Sequence, residues 1–474
     1  MVVRESTACK MGIFYSQPRL EMINHTDSLS SEAISGLQGT CFVVGDKSIS
    51  HRSLMFSSIA EGTTRISGLL QSTDVHSTLN AMRDLGVRIS IVEDDVVEVI
   101  GVGMHGLQEP ARPLYLGNAG TGVRLLMGLI AGQNITATFT GDESLSSRPM
   151  RRITEPLSQM GIQVSDNGDG LLPVTVTGRT NPLPIRYNSP VASAQIKSAI
   201  LLAGLNARGV TSVIEPAKSR DHTERMLQHF GVEVYTQTNL YGGYIASVTG
   251  GVTLQANDVI VPRDPSSAAF LIVAGLITKN SHLLLPTIGM SPERIGLITT
   301  LREMGGRIEI SNQREVGGEQ VADIKVSSSQ LKGIVIPSDR APSMIDEYPI
   351  LCIAAAMATG PTLMKNIGEL RHKEADRIAI MAKGLRLAGI TVDETETSMR
   401  VYGAKTAKGD SYIKGGFNIS SEHDHRIAMS FLTLGFVSSD RIIVDGVSTI
   451  ETSFPGFVEL MNKHGARIST INSA

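Results

Sequence analysis

The chain has 474 residues, 41 % hydrophobic and 19 % charged, with 47 glycines, a globular composition with length for two to four domains of about 150 residues, which excludes disordered and collagen-like classes. Lys plus Arg is 43 and Asp plus Glu is 46, so the formal net charge is -3; the chain lacks the basic excess of a dedicated nucleic-acid binder, and any anionic ligand must be held by local arrangement. The longest apolar stretch, Ala268 to Ile277, is far shorter than the roughly 18 residues of a membrane span, so neither nucleic acid nor membrane is an expected partner.

The N-terminus opens Met1-Val2-Val3-Arg4-Glu5 without an apolar segment before a small-residue cleavage site, which argues against secretion. Residues 1–31 read as a poorly ordered leader. Cys9, Cys41 and Cys352 share no metal-ligand spacing and cannot all pair, so neither a disulfide framework nor a metal site is expected, and a reducing cytoplasm fits best.

Along the remaining chain one junction recurs six times: an amphipathic helix, a glycine, then an alternating strand. The first is Met82-Arg83-Asp84-Leu85-Gly86-Val87-Arg88-Ile89, and the others centre on Gly161, Gly231, Gly305, Gly389 and Gly465. Six junctions at near-regular spacing mark an internal repeat. Upstream of each lies a polar turn and a helix of small apolar residues, beginning near Ser48, Gly120, Ser193, Ser266, Pro342 and His425. Helices apolar all round, such as Ser198 to Leu205 and Ile350 to Met357, belong inside. Six such units exceed one hydrophobic core, which predicts an α/β (α+β) chain of two three-repeat domains, sheets outside and inner helices pointing together, with Val261-Pro262-Arg263-Asp264-Pro265 as the crossover.

Converging helix N-termini, with their unsatisfied N–H groups, favour negative charge. The residues there agree with this. Gly45-Asp46-Lys47-Ser48-Ile49-Ser50-His51-Arg52 carries two cations, and the glycines of Leu116-Gly117-Asn118-Ala119-Gly120-Thr121-Gly122 let the backbone come close to a ligand. Arg148, Arg220, Arg377 and Arg426 add forked donors suited to phosphate or carboxylate. Among them stand Asp346 and the run Lys373-Glu374-Ala375-Asp376-Arg377. Carboxylates among fixed cations stay ionised and can accept protons from hydroxyl or carbon acids.

Eight ordered motifs then resemble the 5-enolpyruvylshikimate-3-phosphate synthase (EPSP synthase) family: Gly-Asp-Lys-Ser at 45–48, Gly-Asn-Ala-Gly-Thr at 117–121, Arg148-Pro149-Met150, Ser193-Ala194-Gln195-Ile196-Lys197, Asp264-Pro265-Ser266-Ser267-Ala268, Lys373 to Arg377, Asp424-His425-Arg426-Ile427-Ala428-Met429 and Ser453-Phe454-Pro455-Gly456-Phe457. The resemblance implies a two-domain inside-out fold of six βαβαββ units, residues 46–261 forming one domain and 32–45 plus 262–474 the other. It also implies transfer of the enolpyruvyl group of phosphoenolpyruvate to the 5-hydroxyl of shikimate 3-phosphate, a step of aromatic amino acid biosynthesis, without a cofactor and in a monomer. By motif, shikimate 3-phosphate falls to Lys47, Ser48, Arg52, Ser193, Ala194, Gln195, Arg220, Asp346 and Lys373, and phosphoenolpyruvate to Lys47, Asn118, Gly120, Arg148, Gln195, Arg377, His425 and Arg426. Asp74 matches an aspartate that the family keeps close by. Lys47, Asp346 and Glu374 are the implied catalytic groups: Glu374 gives a proton to the methylene carbon, Asp346 helps deprotonate the hydroxyl, and Lys47 neutralises the tetrahedral ketal phosphate. The residues themselves leave the division between the two carboxylates open.

Val44 replaces the usual proline before Gly-Asp-Lys-Ser, and Thr452 stands where many members have a lysine. Ser193-Ala194-Gln195 and Arg220-Asp221-His222-Thr223-Glu224 resemble the second, often glyphosate-tolerant subclass, whereas Gly120 leaves room that alanine fills in tolerant members. The sister reaction on UDP-N-acetylglucosamine usually uses a loop cysteine and an asparagine after the lysine; here Ser48 follows Lys47 and Cys352 lies in an apolar run. A non-catalytic repeat scaffold would not need Lys47, Asp346 and Glu374 together at helix starts.

Overall fold

The computed structural model describes residues 27–238, 243–404 and 412–471. Two buried apolar cores divide them. One runs from Ile49 to Val261; the other joins Leu29 to Val43 with Ala268 to Ile468.

Each core sits beneath sheets, and in five of the six units these repeat one pattern, a parallel pair followed by two antiparallel neighbours; the fifth, among the described residues, has only the antiparallel strands Pro361–Lys365, Ser398–Tyr402 and Val392–Glu394. In the second unit Leu114–Tyr115 runs parallel to Thr136–Thr140, which pairs antiparallel with Val174–Thr177 and that with Gln163–Ser165. The third unit repeats it with Arg186–Asn188, Val210–Glu215, Tyr244–Thr249 and Val234–Thr238. Three units complete the pattern with a strand from elsewhere in the chain. Val259–Ile260 joins Thr63–Ser67 of the first unit, and Gln38–Thr40 joins His282–Gly289 of the fourth, both in parallel. In the sixth, Ser28–Ser31 lies antiparallel between Ile442–Asp445 and Ile468–Thr470.

That strand corrects the expected leader at its C-terminal end, since residues 28–31 are ordered sheet; the rest of that expectation, residues 1–26, lies outside the described residues. The four residues Ser-Leu-Ser-Ser hold one apolar side chain, Leu29, too few to show a strand period. Their pairing is decided by two strands more than 400 positions away.

The six recurring glycines all have positive φ, from +78° at Gly161 to +111° at Gly465, the left-handed conformation that ends helices and strains residues with a Cβ. The residue after each donates its N–H to the carbonyl five positions back, at 2.8 to 3.2 Å, from Val87 on Met82 to Ala466 on Met461. A short helix is thus closed and turned into a strand by one local device.

The inner helices are Lys47–Ile59, Gly120–Ala131, Ala194–Gly204, Pro265–Ile277, Tyr348–Ala356 and His425–Gly435. Every residue of Pro265–Ile277 is buried, as a helix of small and apolar residues on all sides requires. Gly128 lets two inner helices touch; a Cβ there would collide with the Ala199 carbonyl. The fifth helix starts at Tyr348 instead of near Pro342, because Ser338–Ser343 forms a 3-10 turn containing that proline, and Pro349 suits the first turn, where its missing N–H costs nothing.

The chain passes between the cores twice, and the two passages are bonded together. Asp46 N–H donates to Pro262 O at 2.8 Å, and Asp264 N–H to Val44 O at 2.9 Å. Each aspartate then caps an inner helix, Asp46 accepting from Ile49 N–H and Asp264 from Ser266 N–H.

Candidate active site

All six inner helices start at one cleft of about 480 Å³, whose walls include Lys47, Ser48, Gly120, Ser193, Gln195, Ser266, Asp346, His425 and Arg426. The helices at Gly120 and Tyr348 have no side-chain cap; Gly120 N–H donates instead to Asn118 O at 2.8 Å, and Pro349 in the other has no N–H to satisfy. Asn118, Ala194, Arg148, Arg220, Lys373 and Glu374 also line the cleft.

The first inner helix presents Lys47 to the opposing core. Its Nζ lies 2.5 Å from Asp74 Oδ2 and donates to Ser453 Oγ at 2.7 Å. Thr452 contributes wall but no charge, its hydroxyl donating to Thr449 O. On the same side Arg148 Nη2 donates to Asn118 Oδ1 at 2.5 Å and to Ser144 Oγ at 3.0 Å, while its Nη1 faces Glu374 Oε1 at 3.7 Å. Gln195 is oriented at both ends of its amide, accepting from Arg124 Nη1 at 3.0 Å and donating to Thr121 Oγ1 at 3.1 Å.

Across the cleft Asp346 meets Arg220 at 2.6 Å, Arg377 at 3.6 Å and Lys373 at 3.7 Å. Burial pushes its carboxyl up, but Arg220, Lys373, Arg426 and Arg377 outweigh that and hold it well below the usual carboxylate range. Glu374, 2.5 Å from Arg377 Nη2, is likewise raised by burial and drawn well below its usual value by Arg377 and Arg148. His425 is also held well below the usual imidazole range, by burial first and then by Arg426 and Lys47, which keeps it neutral. Arg426 Nη1 donates to Asp346 O at 3.0 Å and meets Glu347 Oε1 at 3.2 Å.

Two expected ligand arginines stand behind the wall. Arg52, 2 % exposed, donates to Thr223 Oγ1, Ser48 O and Ser198 Oγ at 2.8 to 2.9 Å; its fork joins its own helix to Ala194–Gly204 and to the helix His222–His229, so it braces Ser48 and does not line the cleft. Arg377 is as buried, held by Asp424 at 2.7 Å, and its Nη1, without a hydrogen-bond partner, is the end nearest Asp346. Three arginines that the sequence reading did not single out do line the cleft: Arg124, Arg152 and Arg294. Arg294 bonds Asp46 and Asp264, both at 2.8 Å. Its sequence, Ser291-Pro292-Glu293-Arg294, holds no signal of that role. Arg124 follows Gly120 by one helical turn, a spacing that returns a side chain to the same face.

Among the described residues no cluster of His, Cys, Asp and Glu is arranged to hold a metal ion, and no helix is long and apolar enough to cross a membrane. Cys41 and Cys352 are buried away from the cleft, Cys352 with its thiol against the sulfurs of Met399 and Met364. The cysteine expected of a UDP-N-acetylglucosamine enzyme is thus absent from the cleft among the described residues.

The family model of EPSP synthase (3-phosphoshikimate 1-carboxyvinyltransferase) matches residues 31–461. A 3-phosphoshikimate 1-carboxyvinyltransferase from Parvibaculum lavamentivorans is 51 % identical over 444 residues, covering 94 % of this chain and 97 % of its own, and one from Paramagnetospirillum magneticum is 49 % identical over 445 residues, covering 94 % and 98 %. The EPSP synthase structure from Acinetobacter baumannii superposes with a TM-score of 0.83 at 46 % identity, over 93 % of this chain and 99 % of that one. The enolpyruvyl transferase NikO from Streptomyces tendae, 17 % identical, shares the fold with a TM-score of 0.74 over 94 % of this chain and 99 % of its own. With the cationic interdomain cleft, these matches show that the chain belongs to the EPSP synthase family, the 3-phosphoshikimate 1-carboxyvinyltransferases.

Proposed function

We propose that the cleft joins phosphoenolpyruvate to the 5-hydroxyl of shikimate 3-phosphate and releases phosphate, with Lys47, Asp346 and Glu374 as the catalytic residues. The observation that carries this reading is the pairing of each carboxylate with a different cleft arginine, Asp346 with Arg220 and Glu374 with Arg148, while the buried Arg377 lies between the two carboxylates. Such pairing provides two neighbouring anion sites, each with a proton-transfer group built in.

In this reading Ser48, Ser193, Ala194, Gln195, Arg220 and Lys373 hold shikimate 3-phosphate, and Asn118, Gly120, Arg148, Gln195, His425 and Arg426 hold phosphoenolpyruvate, with Arg52 and Arg377 acting from behind. When an anion takes Arg148, Glu374 loses one of the cations that keep it ionised, and its proton affinity rises. It then donates a proton to the methylene carbon as the 5-hydroxyl oxygen attacks the adjacent carbon and Asp346 takes the hydroxyl proton. In the second step Glu374 removes a proton from the new methyl group, the bond to the phosphate oxygen breaks, and the Asp346 proton goes to the departing phosphate. Lys47 neutralises the phosphate charge throughout. The same reading makes the protein a cytoplasmic monomer acting on two small anions. Phosphate release from phosphoenolpyruvate, followed with shikimate 3-phosphate and separately with UDP-N-acetylglucosamine, tests it: turnover is expected with the first acceptor alone, and turnover with the second alone overturns it.

A further inference from the structure

Two sequence motifs, Ser193-Ala194-Gln195-Ile196-Lys197 and Arg220-Asp221-His222-Thr223-Glu224, end in charged residues that the chemistry above does not use. In the fold those ends meet. Lys197, with no exposed side-chain surface, lies 2.8 Å from Glu224 and 2.9 Å from Glu215, which comes from the strand Val210–Glu215 and is equally buried. Glu215 also acts as an acceptor for both neighbouring turns. Its Oε1 takes the Ser193 backbone N–H at 2.8 Å and the Ser219 hydroxyl at 2.7 Å, and that hydroxyl lies 2.9 Å from Oε2. Ser193 caps an inner helix at the cleft, and Ser219 immediately precedes Arg220.

One carboxylate therefore ties together the two turns that carry Ser193 and Arg220, and a buried ammonium supplies its counter-charge. Buried ion pairs seldom add net stability over an apolar replacement, because desolvation offsets the attraction. This one has a geometric consequence instead. Three hydrogen-bond contacts from two segments, 22 and 4 residues away in the chain, converge on Glu215, so a shift of its carboxylate moves both turns together.

We propose that Glu215, with Lys197 as its counter-ion, is a positioning residue for the shikimate 3-phosphate half of the site, holding the Ser193 and Arg220 turns at a set separation. It rests on the reading that those two residues bind that substrate. Neither Glu215 nor Lys197 lines the cleft, whereas Ser219 does, so the effect of those two on substrate passes through the turns and Glu215→Gln is the variant that no lost direct contact can explain.

Steady-state kinetics and shikimate 3-phosphate titrations of the full chain test the proposal with Glu215→Gln, Ser219→Ala and Arg220→Lys. Ser219→Ala removes one tether and leaves the buried charges intact, so it reports even where Glu215→Gln fails to fold. The expected result for both Glu215→Gln and Ser219→Ala is a rise in Kd and KM for shikimate 3-phosphate of about 3- to 10-fold, the range of one or two hydrogen bonds. The KM for phosphoenolpyruvate and kcat should stay within about twofold, since uniform loss of binding leaves kcat unchanged. A role in folding alone would lower the melting temperature of Ser219→Ala and leave its shikimate 3-phosphate constants at the parent value, and that outcome overturns the proposal. If Arg220→Lys also leaves them unmoved, the substrate assignment of the turn is what fails; if Arg220→Lys weakens binding while Ser219→Ala does not, the assignment stands and the positioning role falls.

Discussion

Arg220 Nη2 and Asp346 Oδ2, from opposite cores, are 2.6 Å apart across the cleft. The contact ties a group assigned to substrate binding to one assigned to proton transfer, and its two halves should separate kinetically. Asp346→Asn keeps the shape and a hydrogen-bond acceptor but removes the base. Its kcat should fall by about 10² to 10⁴, with KM for shikimate 3-phosphate changing far less. A rate within threefold of the parent in stopped assays of product formation would show that Asp346 takes no proton.

Glu374→Gln makes the complementary test, because Glu374 faces Arg148 and Arg377 on the side proposed to take phosphoenolpyruvate. Turnover should drop by about 10² to 10⁴ while shikimate 3-phosphate still binds. Calorimetric titration beside single-turnover kinetics measures both; lost binding with preserved turnover contradicts the assignment.

In the proposed site Gly120 sets the room open to glyphosate, an analogue longer than phosphoenolpyruvate. A Cβ placed there would lie 3.1 Å from Arg148 Nη1 and 3.3 Å from Arg124 Nη1, so a methyl group presses on two guanidinium groups, one of them the Arg148 proposed to hold phosphoenolpyruvate. Overlap of this kind typically costs about 1–3 kcal/mol, which outweighs the looser cue from the subclass motifs. The parent should be inhibited by glyphosate, and Gly120→Ala should raise the inhibition constant by more than the KM for phosphoenolpyruvate. Equal changes in parallel titrations, or a parent indifferent to millimolar glyphosate, would remove Gly120 as the controlling contact.

His51 is buried, with Nδ1 2.8 Å from Thr78 Oγ1 and no partner for Nε2. Burial, reinforced by Lys47 and Arg52, takes its pKa from 6.5 down to about 3. The folded state therefore refuses a proton that the unfolded chain accepts below 6.5, so stability from this group is complete above that value and declines as pH falls toward 3, by about 1.4 kcal/mol per pH unit. Urea unfolding between pH 4.5 and 7.5 should show a dependence that loses about one proton in His51→Asn. An unchanged slope in the variant would mean that His51 is protonated in the folded protein.

Much of this molecule is determined by the sequence alone because the devices are local. The six glycines sit where a helix must end in a left-handed residue, and all six do so; the apolar run from Ala268 to Ile277 must be buried, and it is. Lys47, Arg148 and Glu374 are legible because they occur in recurrent turns at helix starts. Other assignments depend on distance in space. Nothing in Ser28-Leu29-Ser30-Ser31 predicts a strand between residues 442–445 and 468–470, and nothing near Arg52 shows that Thr223 and Ser198 will occupy its fork while Arg124 reaches the cleft. Arginines are alike in sequence, and whether one meets a ligand or another helix is decided by which donors remain unsatisfied after the helices have packed. Only the tertiary structure does that accounting, because the partners come from segments that no local pattern connects.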